Sequence, residues 1–248
     1  MKLHLGRKAV LSLAGLMIWA IPAFAIPDLQ LYVEGAQYDA STQTWVTTSN
    51  NFKLWVIGDV ENTTHGAAVT PGIFDVHIAA AFLTGEVGTI TLTATTTSLL
   101  TDPSIAAAAV YHPGLGADGT IPKMDDGSTL PQHGIYGPGT SWNQYDIGDF
   151  TLMDSPIGDF INAYPTTFPD LGQINVYDVS ITGYSMVHFD AYNHIQAKRK
   201  IMSLNAPFSH DSEGTPNVPE PASLLLLGLG MGGSALLGLR RRVKRDQH

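Results

Sequence analysis

An uncharged run near the C-terminus divides this 248-residue chain into two parts with different surroundings. The run spans the eighteen residues 222–239 and is followed at once by Arg240, Arg241 and Arg242. At about 1.5 Å per residue, a helix of this length measures about 27 Å, which nearly crosses a hydrocarbon core of about 30 Å. Because Lys and Arg beside a membrane segment resist translocation, the basic end stays cytoplasmic. The sequence therefore predicts one C-terminal membrane helix, with everything before it exported.

The residues on both sides of this run make it more specific. Pro219-Glu220-Pro221, the apolar run and the cluster Arg240-Arg241-Arg242 follow one another within the last thirty residues. This order resembles the PEP-CTERM sorting signal of bacterial surface proteins. The resemblance implies that residues 219–248 insert transiently in the membrane and are an address read and removed by an exosortase-type membrane protease. The alternative is an ordinary anchor behind a Pro-rich stalk.

The N-terminus has the layout of a cleavable signal peptide. Its positive residues are Lys2, Arg7 and Lys8. They precede an apolar stretch at residues 9–21 and the small residues Ala23 and Ala25 of an A-x-A cleavage site before Ile26. We therefore expect signal peptidase to remove residues 1–25.

The composition of the exported part limits its chemistry. Residues 26–218 hold five Lys and Arg against twenty Asp and Glu, which gives a formal net charge of −15. Nucleic-acid binding depends on basic side chains that neutralise phosphates, so this class of partner is excluded. No cysteine is present, which excludes disulfides, thiolate metal sites and a cysteine nucleophile.

Short runs of β-branched and aromatic residues, separated by Gly, Pro, Asn and Asp, predict strands. The predicted strands are 29–33, 52–57, 73–80, 89–97, 175–182 and 186–192, the last two forming a hairpin around Gly183. Many short strands with almost no helical periodicity indicate an all-β fold. We predict a β-sandwich ectodomain of jelly-roll or Ig-like type at residues 26–208, joined to the sorting signal by a polar stalk at residues 209–218.

Two further features concern the loops. Residues 113–138 are rich in Gly, Pro, Asp and Ser, which predicts a long loop within the domain. The tetrapeptide Ile-Gly-Asp-Phe occurs at residues 147–150 and again at 157–160. A spacing of ten residues matches a strand plus a turn, so the two copies are expected at equivalent places on neighbouring strands.

Four segments of the exported part are similar to those of one ectodomain family. They are residues 29–35, 130–136, 187–192 and 206–211. The family is named choice-of-anchor N protein, and its members carry one of several surface-anchoring tails. The resemblance implies a location at the cell surface and implies no reaction.

Two groups of residues are candidates for a metal site. His188 and Asp190 point to one face of a strand, and His194 follows in the next turn, which would suit zinc or another divalent ion. The alternative is a polar strand face with no ion. The second group lies in the acidic loop around Asp118, Asp125 and Asp126, where carboxylates favour a structural Ca²⁺, although Asp and Gly are also ordinary turn residues.

The remaining candidate residues bear on whether the protein binds sugars or cleaves them. Trp142, Tyr136 and Tyr145 lie in the Gly/Pro-rich region, where exposed rings would stack on sugars and buried rings would close the core. No hydrolase or phosphate-binding motif is present, so we expect no enzyme activity. A secreted glycan hydrolase with Asp149 and Asp159 as paired carboxylates is the weaker alternative.

Together these features predict an exported surface or extracellular-matrix protein. Its role is expected to be structural or adhesive and linked to exopolysaccharide or biofilm, since the PEP-CTERM resemblance implies that link. A glycan-binding module is the alternative, with extracellular polysaccharide as the partner.

Overall fold

The computed structural model describes residues 26, 28–65, 71–96, 107–131, 135–161, 168–197, 200–206 and 211–215. The predicted signal peptide at 1–25 and the predicted sorting signal at 219–248 lie outside these residues, whereas Ile26, directly after the predicted cleavage site, is described. Within the described part of the chain, no helix has the length and apolar character needed to cross a membrane.

The described residues form thirteen strands and one short helix. The strands of the first half are β1 Leu29–Val33, β2 Gln37–Asp39, β3 Thr44–Thr47, β4 Asn51–Gly58, β5 Ile73–Leu83, β6 Thr89–Thr96 and β7 Val110–Gly116. Those of the second half are β8 Thr140–Phe150, β9 Ser155–Ile157, β10 Asp170–Thr182, β11 Val187–Ala197, β12 Lys200–Asn205 and β13 Asp211–Gly214. The helix is α1 Asn62–His65.

The strands belong to two sheets, which confirms the predicted all-β sandwich. The first has the order β1-β4-β10-β6, with β9 added to β10. The second has the order β2-β3-β13-β11-β5-β8-β7, with β12 added to β11. Neighbouring strands are antiparallel except β13 and β3, which are parallel.

The main core lies between the two sheets, where side chains alternate along each strand. In β5, Ile78, Ala80 and Phe82 point into this core, together with Phe189 of β11 and Tyr177 of β10. Strand β6 follows the predicted pattern of one buried and one exposed face: Ile90 is buried, whereas the threonines on either side are exposed.

Several strands are buried on both faces, so their sequences are mostly apolar. All five residues of β1 are buried. On the outer face of the first sheet, Tyr32 packs edge to face against Trp45 and Trp55, at ring-centroid distances of 5.0 and 5.2 Å. The side chain of Gln30 binds the segment that follows β9, donating to Gly158 O at 3.0 Å and accepting from Phe160 N at 3.2 Å.

The predicted hairpin around Gly183 is wrong. Strand β10 pairs with β4, β6 and β9, whereas β11 pairs with β5, β12 and β13, so the chain changes sheet at this glycine. Gly183 has a φ of +79°, and a Cβ there would lie 2.3 Å from Val87 O. A turn this crowded needs glycine whether it closes a hairpin or connects two sheets, and for that reason the sequence signal was misleading.

The predicted end of the domain at residue 208 is also wrong. Asp211–Gly214, assigned to the polar stalk, forms β13 in the middle of the second sheet. This strand has no apolar alternation. Its backbone pairs on both sides, with β3 in parallel and with β11 in antiparallel register, so backbone hydrogen bonds rather than side-chain pattern make it a strand.

The two Ile-Gly-Asp-Phe copies do not lie on neighbouring strands. Residues 147–150 end β8 in the second sheet, whereas residues 157–160 begin at the end of β9, which pairs with the first sheet. Their isoleucines and phenylalanines are all buried. The copies therefore share burial and not position.

Candidate functional site

A long loop covers the outer face of the second sheet. We call the described residues 117–131 and 135–139 the covering loop; it corresponds to the loop predicted at 113–138, whose first residues belong to β7. Met124, Leu130 and Tyr136 of this loop pack on Ala79 and Ala81, the outward-facing alanines of β5. Because alanine is small, the loop approaches the sheet closely and encloses the polar side chains of β11 beneath it.

His188 and Asp190 lie under the covering loop. They point to the same face of β11, as predicted, and both are buried. Asp190 Oδ2 accepts a hydrogen bond from the Tyr136 hydroxyl, and Asp190 Oδ1 lies 3.6 Å from His188 Nε2. The Glu213 carboxylate lies 3.9 Å from His188 Nδ1. This group ties the loop and β13 to β11.

His194 lies away from that pair, so the predicted grouping of His188, Asp190 and His194 is wrong. A register shift between Tyr192 and His194 interrupts the pairing of β11 with β5, and His194 lies opposite Phe74. A bulge of this kind re-aims the side chains that follow it. His194 Nδ1 lies 2.8 Å from Oδ2 of Asp125 in the covering loop.

Asp75 completes this second group. One ligand atom from each of Asp75, Asp125 and His194 lies within 4.8 Å of the others, and the histidine is buried while both carboxylates are exposed. Asp75 has a φ of +48° and lies where β5 shifts register against β8. Its backbone nitrogen donates to Asp149 Oδ1 at 2.9 Å.

A separate cluster joins three strands at the far side of the sheet. Both oxygens of Asp146 in β8 hold a histidine: Oδ1 lies 2.6 Å from His77 Nδ1, and Oδ2 lies 2.5 Å from His112 Nε2. Gln144 donates to the same carboxylate at 2.9 Å and accepts from the Tyr192 hydroxyl at 2.9 Å. Burial raises the pKa of this tyrosine above its ordinary value, so the phenol remains a donor.

A group of carboxylates lies around Asp59, which directly follows β4. Asp59 is buried and accepts a hydrogen bond from Asn62 N at 3.0 Å. Burial raises its pKa to about 6, and the neighbouring carboxylates of Asp170, Asp28 and Glu61 add to that shift. Burial also raises the pKa of Asp28, while a hydrogen bond from Asn62 lowers it.

The three aromatic residues expected to stack on sugars are buried. Trp142, Tyr136 and Tyr145 are 5%, 6% and 5% exposed. The indole nitrogen of Trp142 donates to Thr120 Oγ1 at 3.0 Å, and the Tyr145 hydroxyl donates to Ile90 O at 3.1 Å. Burial raises the pKa of Tyr145 to about 12. These rings close the core, so the expectation of exposed stacking faces is wrong.

Two of the acidic residues proposed for Ca²⁺ stabilise turns. Asp118 Oδ1 accepts hydrogen bonds from Thr84 Oγ1 at 2.8 Å and from Gly139 N at 2.7 Å. Asp126 Oδ1 accepts from Ser128 N at 2.9 Å. Asp125 differs, because its carboxylate points to His194.

Two surface depressions contain none of these residues. One of about 370 Å³ is lined by strands β4, β6 and β10 around the Lys53–Asp178 ion pair, whose atoms lie 2.7 Å apart. The other, of about 590 Å³, is lined by residues of β2, β3 and the turn before them.

Sequence reasoning missed Asp75, His77, His112 and Asp146. Their grouping depends on which strands are neighbours and on the register between them, with His77 opposite Asp146 and His112 opposite Gln144. No spacing within the sequence reports this. One signal was available, because Asp75 and His77 have the same spacing in the sequence as His188 and Asp190.

These observations define the protein as an acidic β-sandwich whose last described strand ends shortly before the C-terminal segment. A family model for the PEP-CTERM protein-sorting motif matches residues 217–242 of that segment. The motif marks the chain as an exported, cell-surface-directed protein that an exosortase-type membrane protease processes, as predicted.

Comparison with other proteins adds little about the domain. No curated protein matches the chain. Among solved structures, the collagen-binding domain from a Staphylococcus aureus adhesin is similar to 78% of this chain over 99% of its own length, with 10% identity and a TM-score of 0.24. The matched sorting motif covers the tail alone, so the resemblance of the ectodomain to choice-of-anchor N proteins stays a prediction.

Proposed function

We propose that this protein is a structural or adhesive component of the cell surface or extracellular matrix and has no catalytic role. The observation that carries the proposal is that the β-sandwich and the sorting motif are adjacent in the chain. Strand β13 ends at Gly214, and the sorting motif begins at residue 217, so the sandwich itself is what the motif delivers. The proposal includes the predicted kinship of the ectodomain with choice-of-anchor N proteins, which would have the same location.

The use of the acidic side chains supports a non-catalytic role. Asp149 and Asp159, the pair considered for sugar hydrolysis, each accept a hydrogen bond from a backbone nitrogen, at 2.9 Å from Asp75 N and 3.0 Å from Ile161 N. They lie on segments of two different sheets. A retaining or inverting glycosidase needs two carboxyl groups about 5 to 10 Å apart that face one bond.

We further propose that extracellular polysaccharide is the partner and that the protein contributes to biofilm. The support for this proposal is the resemblance of the tail to PEP-CTERM sorting signals. Binding through Trp142, Tyr136 and Tyr145 is not part of the proposal, because these rings are buried.

The test compares an exosortase-containing host that carries the intact gene with the same host carrying a Pro219-Glu220-Pro221→Ala variant. The intact protein is expected on the surface, and cells that display it are expected to hold more attached biomass. The variant is expected to remain in the membrane fraction. Equal surface amounts of both proteins would contradict the sorting, whereas normal display with unchanged biomass would contradict the adhesive role. Release of reducing sugar from isolated polysaccharide would contradict the non-catalytic role.

A further inference from the structure

We propose that Asp75, Asp125 and His194 bind one divalent cation of the zinc class. The three residues come from β5, the covering loop and β11, and both carboxylates are exposed to solvent. Nothing in the sorting proposal requires this site, and the two proposals stand or fall separately.

The distances suit a small ion. Zinc binds imidazole nitrogen and carboxylate oxygen at about 2.0 to 2.2 Å, so two ligands of one ion lie about 3 to 4 Å apart. One donor atom from each residue lies within 4.8 Å of the others, and Nδ1 of His194 and Oδ2 of Asp125 lie 2.8 Å apart. Because Asp75 and Asp125 are exposed, a small side-chain rotation closes the remaining distance and the ion has access from solvent.

The state of His194 distinguishes this group from an ordinary acidic surface. The side chain is buried, with 3% of the residue exposed, and its Nδ1 has no hydrogen-bond partner. Asp125 Oδ2 is near enough, but it does not lie along the direction in which the ring nitrogen donates or accepts. A buried polar atom without a hydrogen bond is costly, and a cation between the two carboxylates would satisfy it.

Neighbouring side chains hold the ligand-bearing segments together. Asn193 is buried and links two of the ligand-bearing segments: its Oδ1 accepts from Asp125 N at 3.3 Å, and its Nδ2 donates to Asp75 O. The ring of Phe74 packs against that of His194, with centroids 6.1 Å apart. The ligands are thus held by neighbours that are not ligands themselves, as in other preorganised metal sites.

The donor set selects the ion. One imidazole and two carboxylates suit Zn²⁺, while Ca²⁺ prefers six to eight oxygen ligands. Three protein ligands leave a position for water. Since the ligands come from both strands and the covering loop, the bound ion would fasten the loop to the sheet and stabilise the folded state.

The first experiment is a titration of the full chain, without a polyhistidine tag, in mild detergent after chelation and dialysis. Zn²⁺ at a hundredfold excess over its Kd is expected to raise Tm by about 5 to 10 °C, and Ca²⁺ is expected to raise it far less. Asp75→Asn and Asp125→Asn are expected to bind one Zn²⁺ fewer per chain by calorimetry. Asp126→Asn, on the neighbouring turn residue, is the matched control and is expected to bind as the unmodified chain does.

Equal zinc stoichiometry in the unmodified chain and in Asp75→Asn and Asp125→Asn would overturn the proposal, as would no zinc binding or a Tm response equal for zinc and calcium. The cluster of His77, His112 and Asp146 is a competing zinc site, so His112→Gln is measured in parallel. It is expected to leave the Tm response intact. NMR of the unmodified, folded protein follows the ring nitrogens of His194, whose resonances are expected to shift when zinc is added. An unchanged Nδ1 resonance at saturating zinc would also overturn the proposal.

Discussion

At the scale of single residues, the buried carboxyl of Asp59 illustrates how burial sets charge. Removal from water disfavours the ionised form, and the neighbouring carboxylates of Asp170, Asp28 and Glu61 repel the charge further. The hydrogen bond from Asn62 N lowers the pKa and is weaker than burial, although it is stronger than the effect of any one of these carboxylates. The pKa of about 6 in the folded state is therefore above the value of about 3.9 expected for an unfolded chain.

This shift predicts a pH dependence of stability. Between pH 4 and 6 the folded state binds more protons than the unfolded state, so the free energy of unfolding falls as pH rises through this window. Asp59→Asn is expected to remove this fall and to stabilise the domain at pH 7 by about 1 to 3 kcal/mol. Urea unfolding at pH 4, 5, 6 and 7 measures the effect, with the exposed Glu34→Gln as control. An unchanged slope in Asp59→Asn would show that the carboxyl ionises normally.

A second residue-scale prediction concerns the Tyr136–Asp190 hydrogen bond. The acceptor is a buried carboxylate, so losing the phenol leaves it one donor short. Tyr136→Phe keeps the ring that packs on β5 and is expected to cost about 1.5 to 3 kcal/mol in unfolding free energy. Tyr111→Phe, which removes a long contact of 3.4 Å on an exposed ring, is the control and is expected to cost far less. Equal midpoints for both variants in urea would contradict the role of this bond.

The residue scale is also where sequence reasoning went furthest wrong. The period of a regular strand correctly places His188 and Asp190 on one face. The same rule cannot place His194, because the bulge between it and Tyr192 changes the direction of the side chain. A bulge is decided by pairing with a distant strand, which a local pattern does not contain. The sequence assigned Asp125 to a calcium site and His194 to a separate zinc site. The two side chains are close because the covering loop folds over the sheet, which the sequence pattern did not predict.

At the scale of elements, β13 connects two parts of the second sheet. It lies between β3 and β11, and within the described pairings it is the link between the β2–β3 hairpin and the rest of that sheet. Its residues Asp211 to Gly214 pair with residues 44–47 of β3, and three of them pair with β11. A strand with two neighbours cannot be removed without leaving two rows of unpaired backbone groups.

Truncation tests this element. A chain ending after residue 210 is expected to lose roughly 3 kcal/mol of stability, a fall of about 6 to 12 °C in Tm, relative to a chain ending after residue 216. Both proteins lack the sorting motif, so thermal unfolding by circular dichroism compares them directly. Equal Tm values would mean that β13 adds nothing to the fold and that the predicted stalk begins at residue 209 after all.

Strands were predicted correctly where the signal lies in the local sequence and were missed where it lies in the pairing with distant strands. Strands β1, β4, β5 and β6 were predicted because their apolar runs are bounded by turn residues, and β6 alternates as a half-buried strand should. The short strand β13 was missed since its stability lies in its neighbours. The sheet change at Gly183 was missed because the sequence specifies a tight turn there and not the partner of the next strand.

At the scale of the whole molecule, the order of fold and sorting motif limits how the protein can be processed. Only residues 215 and 216 separate β13 from the matched motif. A protease that cuts within the motif works close to a folded sheet, and a cut before residue 215 would remove part of a strand with two neighbours. We therefore expect the folded domain to protect its own end, so that the cut falls after Gly214.

Intact mass tests this limit. Protein recovered from the surface of an exosortase-containing host is expected to begin at Ile26 and to end between residues 215 and 221, with the membrane run and arginines removed. In a host without the protease, the mass is expected to include residues 222–248. An Arg240-Arg241-Arg242→Ala variant changes only the basic cluster and leaves β13 and its spacing to the cleavage region unchanged. Loss of cleavage in this variant would therefore report recognition of the tail by the protease and not access to the cleavage region. A surface form that ends before residue 211 would contradict the protection by β13, and one that keeps the entire tail would identify the segment as a permanent anchor.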